Sequence, residues 1–362
     1  MLFLIWGFII GLAINILPIW EPSAACGIFP EWHGDINLIQ NIDVSVNPGL
    51  ANITLNPVRT ITGASILSGS GLEIRNIIAG EYLLSLSGSG RYIAKFEKAG
   101  KEVEFLNAGG ERFWKVKSNE YPYLSYNGAL VLLLNGDQSR IRVLDFNGSD
   151  TGVGEIPGRL CTTISFSSQS DFAGIGFLDG TYYILNKSGK VISGNNVKQE
   201  SVIKGISISG NGNYAAVHYG NNRKDYIRLI DIQENDYYTI PLKNIHHSKT
   251  ALDISDEGRV SVIDHDRILI TDEEGNIESL IKIPPKNHGT SSIDCAGGLY
   301  SASYTGADGI SRFLVFKSDG DIILVKEFPG ETFIESFIKA PVLFVRGSRN
   351  LYCYSYYLPV EQ

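Results

Sequence analysis

Basic residues are missing from the start of this chain, where no lysine or arginine precedes Arg59. Over 362 residues the formal net charge is −8, only 19% of side chains are charged, and no Lys/Arg cluster occurs. Binding a phosphate backbone takes a basic face, so no nucleic acid is expected as a partner. The four cysteines, Cys26, Cys161, Cys295 and Cys353, make no Cys-x-x-Cys and keep no regular spacing. That argues against a disulfide framework and against a zinc site. Gly-x-Ser-x-Gly elbows, P-loops and dinucleotide fingerprints are also absent, which leaves hydrolase, nucleotidase and dehydrogenase readings without a motif. Neither a cofactor nor catalysis is expected.

What is present suits pleated strands joined by many turns. Hydrophobic residues make up 43%, with 39 glycines, 18 tyrosines and 16 phenylalanines, enough to bury a sizeable core. Residues 2–20 are apolar except for breaks at Gly7, Gly11, Asn15 and Pro18, with Trp6 and Trp20 near the two ends. As a helix this stretch would span about 28 Å, close to a hydrocarbon core, and indoles favour the interface. Ser23-Ala24-Ala25 supplies the small residues of a signal-peptidase site. Followed by Cys26, the same tripeptide resembles a bacterial lipobox, although Ser23 stands where a Leu-like residue is usual. Residues 1–26 are therefore expected to be a signal peptide or membrane anchor, with Cys26 the candidate lipidation site. The rest of the chain is expected to face the periplasm or cell exterior. Residues 27–66, with Pro30, Pro48 and Pro57, read as a linker or short hairpin.

From residue 67 onward the chain repeats itself. A polar turn recurs as Ser87-Gly88-Ser89-Gly90, Ser125-Tyr126-Asn127-Gly128, Ser209-Gly210-Asn211-Gly212 and Ser255-Asp256-Glu257-Gly258, with looser copies at Ser167, Asp294 and Lys339. Successive copies are 38, 42, 42, 46, 39 and 45 residues apart. A second turn keeps phase with the first, at Asn107 to Gly110, Asp145 to Gly148, Asn186 to Gly189, Asp272 to Gly275 and Lys317 to Gly320. Asn, Asp and Gly supply the left-handed positions such hairpins need. A period near 40 with short strands and no helical pattern predicts an all-β propeller, seven blades of four-stranded antiparallel sheet over residues 67–362. Eight blades follow instead if residues 36–66 pair more fully. The last copy is one strand short, and residues 71–78 are the expected outer strand that closes it.

The stretch Glu104-Phe105-Leu106-Asn107-Ala108-Gly109-Gly110-Glu111-Arg112-Phe113-Trp114-Lys115 is similar to the quinoprotein (PQQ-type) repeat, in which an Asn/Gly turn precedes a Trp on the outermost strand. Residues 67–362 as a whole resemble bacterial WD40-like and quinoprotein-like propeller repeats, without the Gly-His and Trp-Asp pairs of the eukaryotic WD40 unit. The resemblance implies a propeller and, by analogy with exported bacterial propellers, a scaffold in an envelope assembly with protein partners.

Other residues bear on chemistry more weakly. Adjacent His246 and His247 would point to opposite sides of a strand and chelate poorly. Asp264-His265-Asp266 reads as a solvated hairpin tip. Residues 145–155 echo a calcium loop with Asp150 at the glycine position. Cys161, Cys295 and Cys353 lie in or beside apolar strands, where a buried thiol is the default. Tyr352, Tyr354 and Tyr356, with Tyr357, are expected to pack between blades. The innermost strands offer Ser85, Ser165, Ser207 and Asp253 to a central channel. The expected function is a non-catalytic, membrane-attached scaffold. The alternative is a small-molecule or sugar sensor, or an enzyme, using that channel.

Overall fold

The computed structural model describes residues 27–35, 55–59, 63–68, 73–78, 80–98, 100–197, 200–339 and 342–357. The expected N-terminal helix and Cys26 lie outside these. Among the described residues every regular element is a strand, and the strands form eight antiparallel sheets, the blades of a propeller. No helix among them is long and apolar enough to cross a membrane.

Six four-stranded blades follow chain order over residues 83–117 (blade 2), 121–157 (blade 3), 161–196 (blade 4), 202–241 (blade 5), 252–282 (blade 6) and 286–328 (blade 7). Blade 8 joins Ile334–Lys339, Val342–Gly347 and Asn350–Tyr357 to a fourth strand, Gly27–Asp35. Blade 1 has three strands, Leu55–Arg59, Gly63–Ser68 and Glu73–Ile78. Seven four-stranded sheets are thus present, with a three-stranded eighth beside them.

The closing strand differs from the expected one. Residues 73–78 pair with Gly63–Ser68 inside blade 1, while Tyr357 to Asn350 pair with Gly27 to Asp35. Pro30 disguises that strand in the sequence. A proline is tolerated at a sheet edge or bulge, and the register shifts between Pro30 and Trp32. Pro57 sits in the same way on the terminal strand of blade 1. The boundary expected at residue 66 falls inside Gly63–Ser68.

The repeated turn has a specific construction. In blade 2, Gly90 N–H donates to Ser87 O and Ser87 N–H to Tyr92 O, while Ser87 Oγ accepts from Tyr92 N at 3.1 Å. Ser125, Ser209 and Ser255 repeat this with Leu130, Tyr214 and Arg259. Gly128 and Gly212 have φ of 72° and 79°, and each packs under an aromatic ring of the preceding blade. A Cβ on Gly212 would come within 2.5 Å of the Phe172 ring, so the glycine serves the blade junction as well as the turn.

The core lies between blades. All but one of the apolar clusters join two neighbours, such as Leu130, Leu132 and Val143 of blade 3 with Ile175 and Phe177 of blade 4, the exception lying within blade 8. Second strands are covered on both faces and lose the alternating pattern: Leu130–Leu134 and Leu299–Gly306 are buried throughout. Outermost strands alternate or stay exposed, as in Asp236–Pro241. Trp114, on the outermost strand of blade 2, stacks on Phe105 at 5.0 Å and donates to Phe146 O of blade 3 at 2.9 Å.

Candidate functional site

First strands touch one another between blades 2 and 3 and through blades 4 to 8, and they line the channel. The turns after these strands define one face, called here the serine-turn face. The connections between blades, with the turns between second and third strands, define the other, the connection face.

At the serine-turn end of the channel the structure assembles a polar group. Ser207 Oγ donates to Asp253 Oδ1 at 2.7 Å, and Asp253 Oδ2 accepts Cys295 N–H at 2.9 Å. Asp294 Oδ2 accepts Ile338 N–H at 2.6 Å, and the Asp253 carboxyl lies close enough to act on it electrostatically. Lys339 Nζ reaches across to lie 5.2 Å from the ring centre of Tyr126 in blade 3. Ser207 is buried and Asp253, Asp294 and Lys339 are half-buried, as expected of the lining of a narrow channel. Burial raises the pKa of Asp253. Burial and then the neighbouring Asp253 carboxyl push Asp294 up to about 8. Lys339 is lowered by burial, with Asp294 opposing. The pair therefore retains a proton at neutral pH, with a cation close by. Burial pushes the Cys295 thiol well above its ordinary value.

Of the expected channel residues, Ser207 and Asp253 meet; Ser85 and Ser165 lie on the first strands of blades 2 and 4 and take no part in this group. Asp294 was legible only as a turn residue. The turn after it contracts to Gly297-Gly298, with Ala296 paired to Leu299. Asp294 therefore occupies the rank of Asp253, not that of Ser255.

A second network lies on the connection face at blades 5 and 6. Fully buried Asp225 binds His218 Nε2 at 3.0 Å, Lys204 Nζ at 2.6 Å and His246 N–H at 2.9 Å. Buried Asp264 binds His246 Nε2 at 3.1 Å, both Nε and Nη2 of Arg267, and Asn244 Nδ2. This corrects the solvated tip expected at Asp264: only His265 and Asp266 are left at its surface, His265 with φ of 58°. Burial alone would raise Asp225 and Asp264. Hydrogen bonds from His218 and Lys204, and from His246, Arg267 and Asn244, outweigh it and hold both carboxyls below the ordinary range. His218 is lowered by burial and stays neutral. His246 is locked inward while its neighbour His247 is exposed.

The remaining candidates resolve into structure. Residues 145–155 form a hairpin turn in which Asp145 Oδ1 accepts Asn147 and Ser149 N–H, followed by the strand Asp150–Pro157. Among the described residues no group of three or more metal-ligating side chains converges. Cys161, Cys295 and Cys353 are free thiols, Cys353 buried and the others half-buried. Tyr354 stacks on Phe313 of blade 7, and Tyr352 packs on Phe328 and donates to Glu331, whereas Tyr357 is exposed.

No family model matches the chain, and no curated protein matches its sequence. Solved structures do. The dihydro-heme d1 dehydrogenase NirN in complex with DHE superposes with a TM-score of 0.57 at 14% identity, over 91% of this chain and 80% of NirN. The Dos1 propeller gives 0.55 at 13% identity, over 91% of this chain and 95% of that one. A chain of the mitotic checkpoint complex gives 0.53 at 14%, over 88% and 97%. At these identities the likeness is one of fold, the β-propeller, and it spans an enzyme and an interaction assembly.

Proposed function

We propose that this chain is a membrane-attached, extracytoplasmic propeller that serves as a protein-interaction or envelope-assembly scaffold, docking its partner on the connection face. The distribution of exposed apolar side chains carries this reading. Leu160 (43% exposed), Leu178 (38%) and Ile245 (38%) lie in the connections and turns of that face, with Tyr82 and Leu83 farther round. On the opposite face the turns themselves carry none among the described residues, and the exposed Phe113, Ile277, Ile322 and Tyr357 lie on the strands that flank them. Loops on a rigid scaffold are the usual carriers of binding, and clustered exposed apolar groups mark contact surfaces. Membrane attachment rests on the apolar run at residues 2–20.

The channel supports a second reading, a small-molecule sensor or enzyme, through the Asp253–Asp294 pair facing Lys339. Photo-crosslinking in cells separates the two. A crosslinker at Leu178 or Ile245 should trap one discrete partner, and one at Gln169 or Asn211 on the serine-turn face should not. The chain should pellet with membranes and lose that property when residues 1–25 are deleted. Equal crosslinking from both faces would overturn the docking assignment. Trapping only from Tyr126 would favour the channel.

A further inference from the structure

On the connection face, between blades 4 and 5, lies a cavity of about 340 Å³, within the range of small-molecule sites. Its lining includes Lys204, whose side chain is 11% exposed. The Lys204 ammonium donates to Asp225 Oδ1 and to His246 O, each at 2.6 Å. An ammonium has three donors, so two are taken by protein and one remains for the cavity. Asp225 is buried to the other side, where it borders a separate cavity with Arg223 and Lys243. His247 and Lys249, both exposed, form the rim with Asn221 and Asn222. Leu178 and Val202 make the apolar part of the wall, with Ile203 fully buried behind them, and no carboxylate lines the cavity. In a chain of net charge −8, a pocket lined by four basic side chains, Lys204, His246, His247 and Lys249, and by no acid selects for an anion.

The charge balance narrows the ligand. Lys204 is offset by Asp225 and His246 is tied to Asp264, so the uncompensated positive charge comes from Lys249. That suits a monoanion better than a phosphate dianion, whose oxygens would call for several charged donors. The apolar wall suits a hydrocarbon body attached to the anion. Because Lys204 is already held by two hydrogen bonds, binding orders little further side-chain freedom.

We propose that this cavity binds a carboxylate carried on an apolar group, with the carboxylate on Lys204 and the apolar group on Leu178 and Val202. The carboxylate belongs either to a free organic acid or to the C-terminal residue of a partner chain. The site goes beyond the scaffold reading, which needs the face but no such pocket.

Calorimetric titration of the full chain with N-acetyl-L-leucine, N-acetyl-L-leucinamide and inorganic phosphate tests the chemistry. The acid should bind saturably, with the amide and phosphate about 10-fold weaker or worse. Lys204→Met should abolish binding but also strips Asp225 of a partner. Lys249→Glu and Leu178→Asp, at exposed positions, therefore provide the independent variants, each expected to weaken the acid about 5-fold or more with an unchanged melting temperature. A heptapeptide ending in free leucine identifies the source: tighter binding than the acid assigns a partner C-terminus, and equal binding a free acid. Absence of saturable binding by acid and peptide alike, equal affinity for acid and amide, or indifference to both exposed-site variants overturns the proposal.

Discussion

Asp294→Asn should stabilise the protein in alkaline solution and leave it little changed in mild acid. The Asp294 carboxyl faces Asp253 and Lys339, accepts from Ile338 N–H at 2.6 Å and titrates near 8. An unfolded aspartate titrates near 3.8. Between these values the folded chain holds a proton that the unfolded chain has lost, so unfolding free energy falls as pH rises. Each unit is worth about 1.4 kcal/mol, which sets an upper bound of about 4 kcal/mol between pH 5 and pH 8. Water in the channel and the nearby Lys339 recover part of this, leaving roughly 2 kcal/mol. Asparagine keeps the acceptor for Ile338 and can donate to Asp253, without ionising. Thermal unfolding of both proteins from pH 5 to pH 8 should show the variant gaining about 4 °C relative to the natural chain across that range. A constant difference, or a variant that loses ground as pH rises, would refute the shared proton.

Three other perturbations test the frame. Asp225→Asn should cost about 3 kcal/mol at neutral pH, because His218 and Lys204 lose a buried anion, and the cost should shrink in acid, since stability from a lowered carboxyl is lost as pH falls; urea unfolding at neutral and low pH measures it. Gly148→Ala places a Cβ 2.8 Å from the Trp114 ring at φ of 78°; roughly 2 kcal/mol should be lost, with a change in indole fluorescence. Phe29 is opposite Ser355 in the closing pair, so Phe29→Cys with Ser355→Cys should oxidise to a disulfide while Asn76→Cys with Ser355→Cys should not. The reverse result would restore residues 71–78 as the closing strand.

The repeat was legible because its signal is local: a serine hydroxyl caps the turn and a glycine takes the left-handed position, all within five residues. The closing strand and blade 1 were obscured by Pro30 and Pro57, which read as linker until a sheet edge is known to receive them. Trp114 was visible as the outer-strand tryptophan of a quinoprotein-like repeat, but its seat on Phe146 and Gly148 spans two blades. The channel pair was half legible. Asp253 falls on an inner strand by counting from its turn, whereas the shortened Gly297-Gly298 turn moved Asp294 out of count. Apart from the local Asp264–Arg267 pair, the Asp225 and Asp264 networks join residues 7 to 21 positions apart through connections without periodicity, so no pattern in the chain announces them.

Docking is assigned to the connection face. Leu160→Glu, Leu178→Glu and Ile245→Glu combined alter exposed positions only and should leave the melting temperature and far-UV spectrum unchanged. Paired with Ile277→Glu and Val325→Glu on the outer rim as a control, the triple variant should lose the partner trapped by crosslinking in membranes while the rim variant keeps it. Retention of that partner by the triple variant, or its loss from the rim variant alone, would contradict the assignment of the connection face as the docking surface.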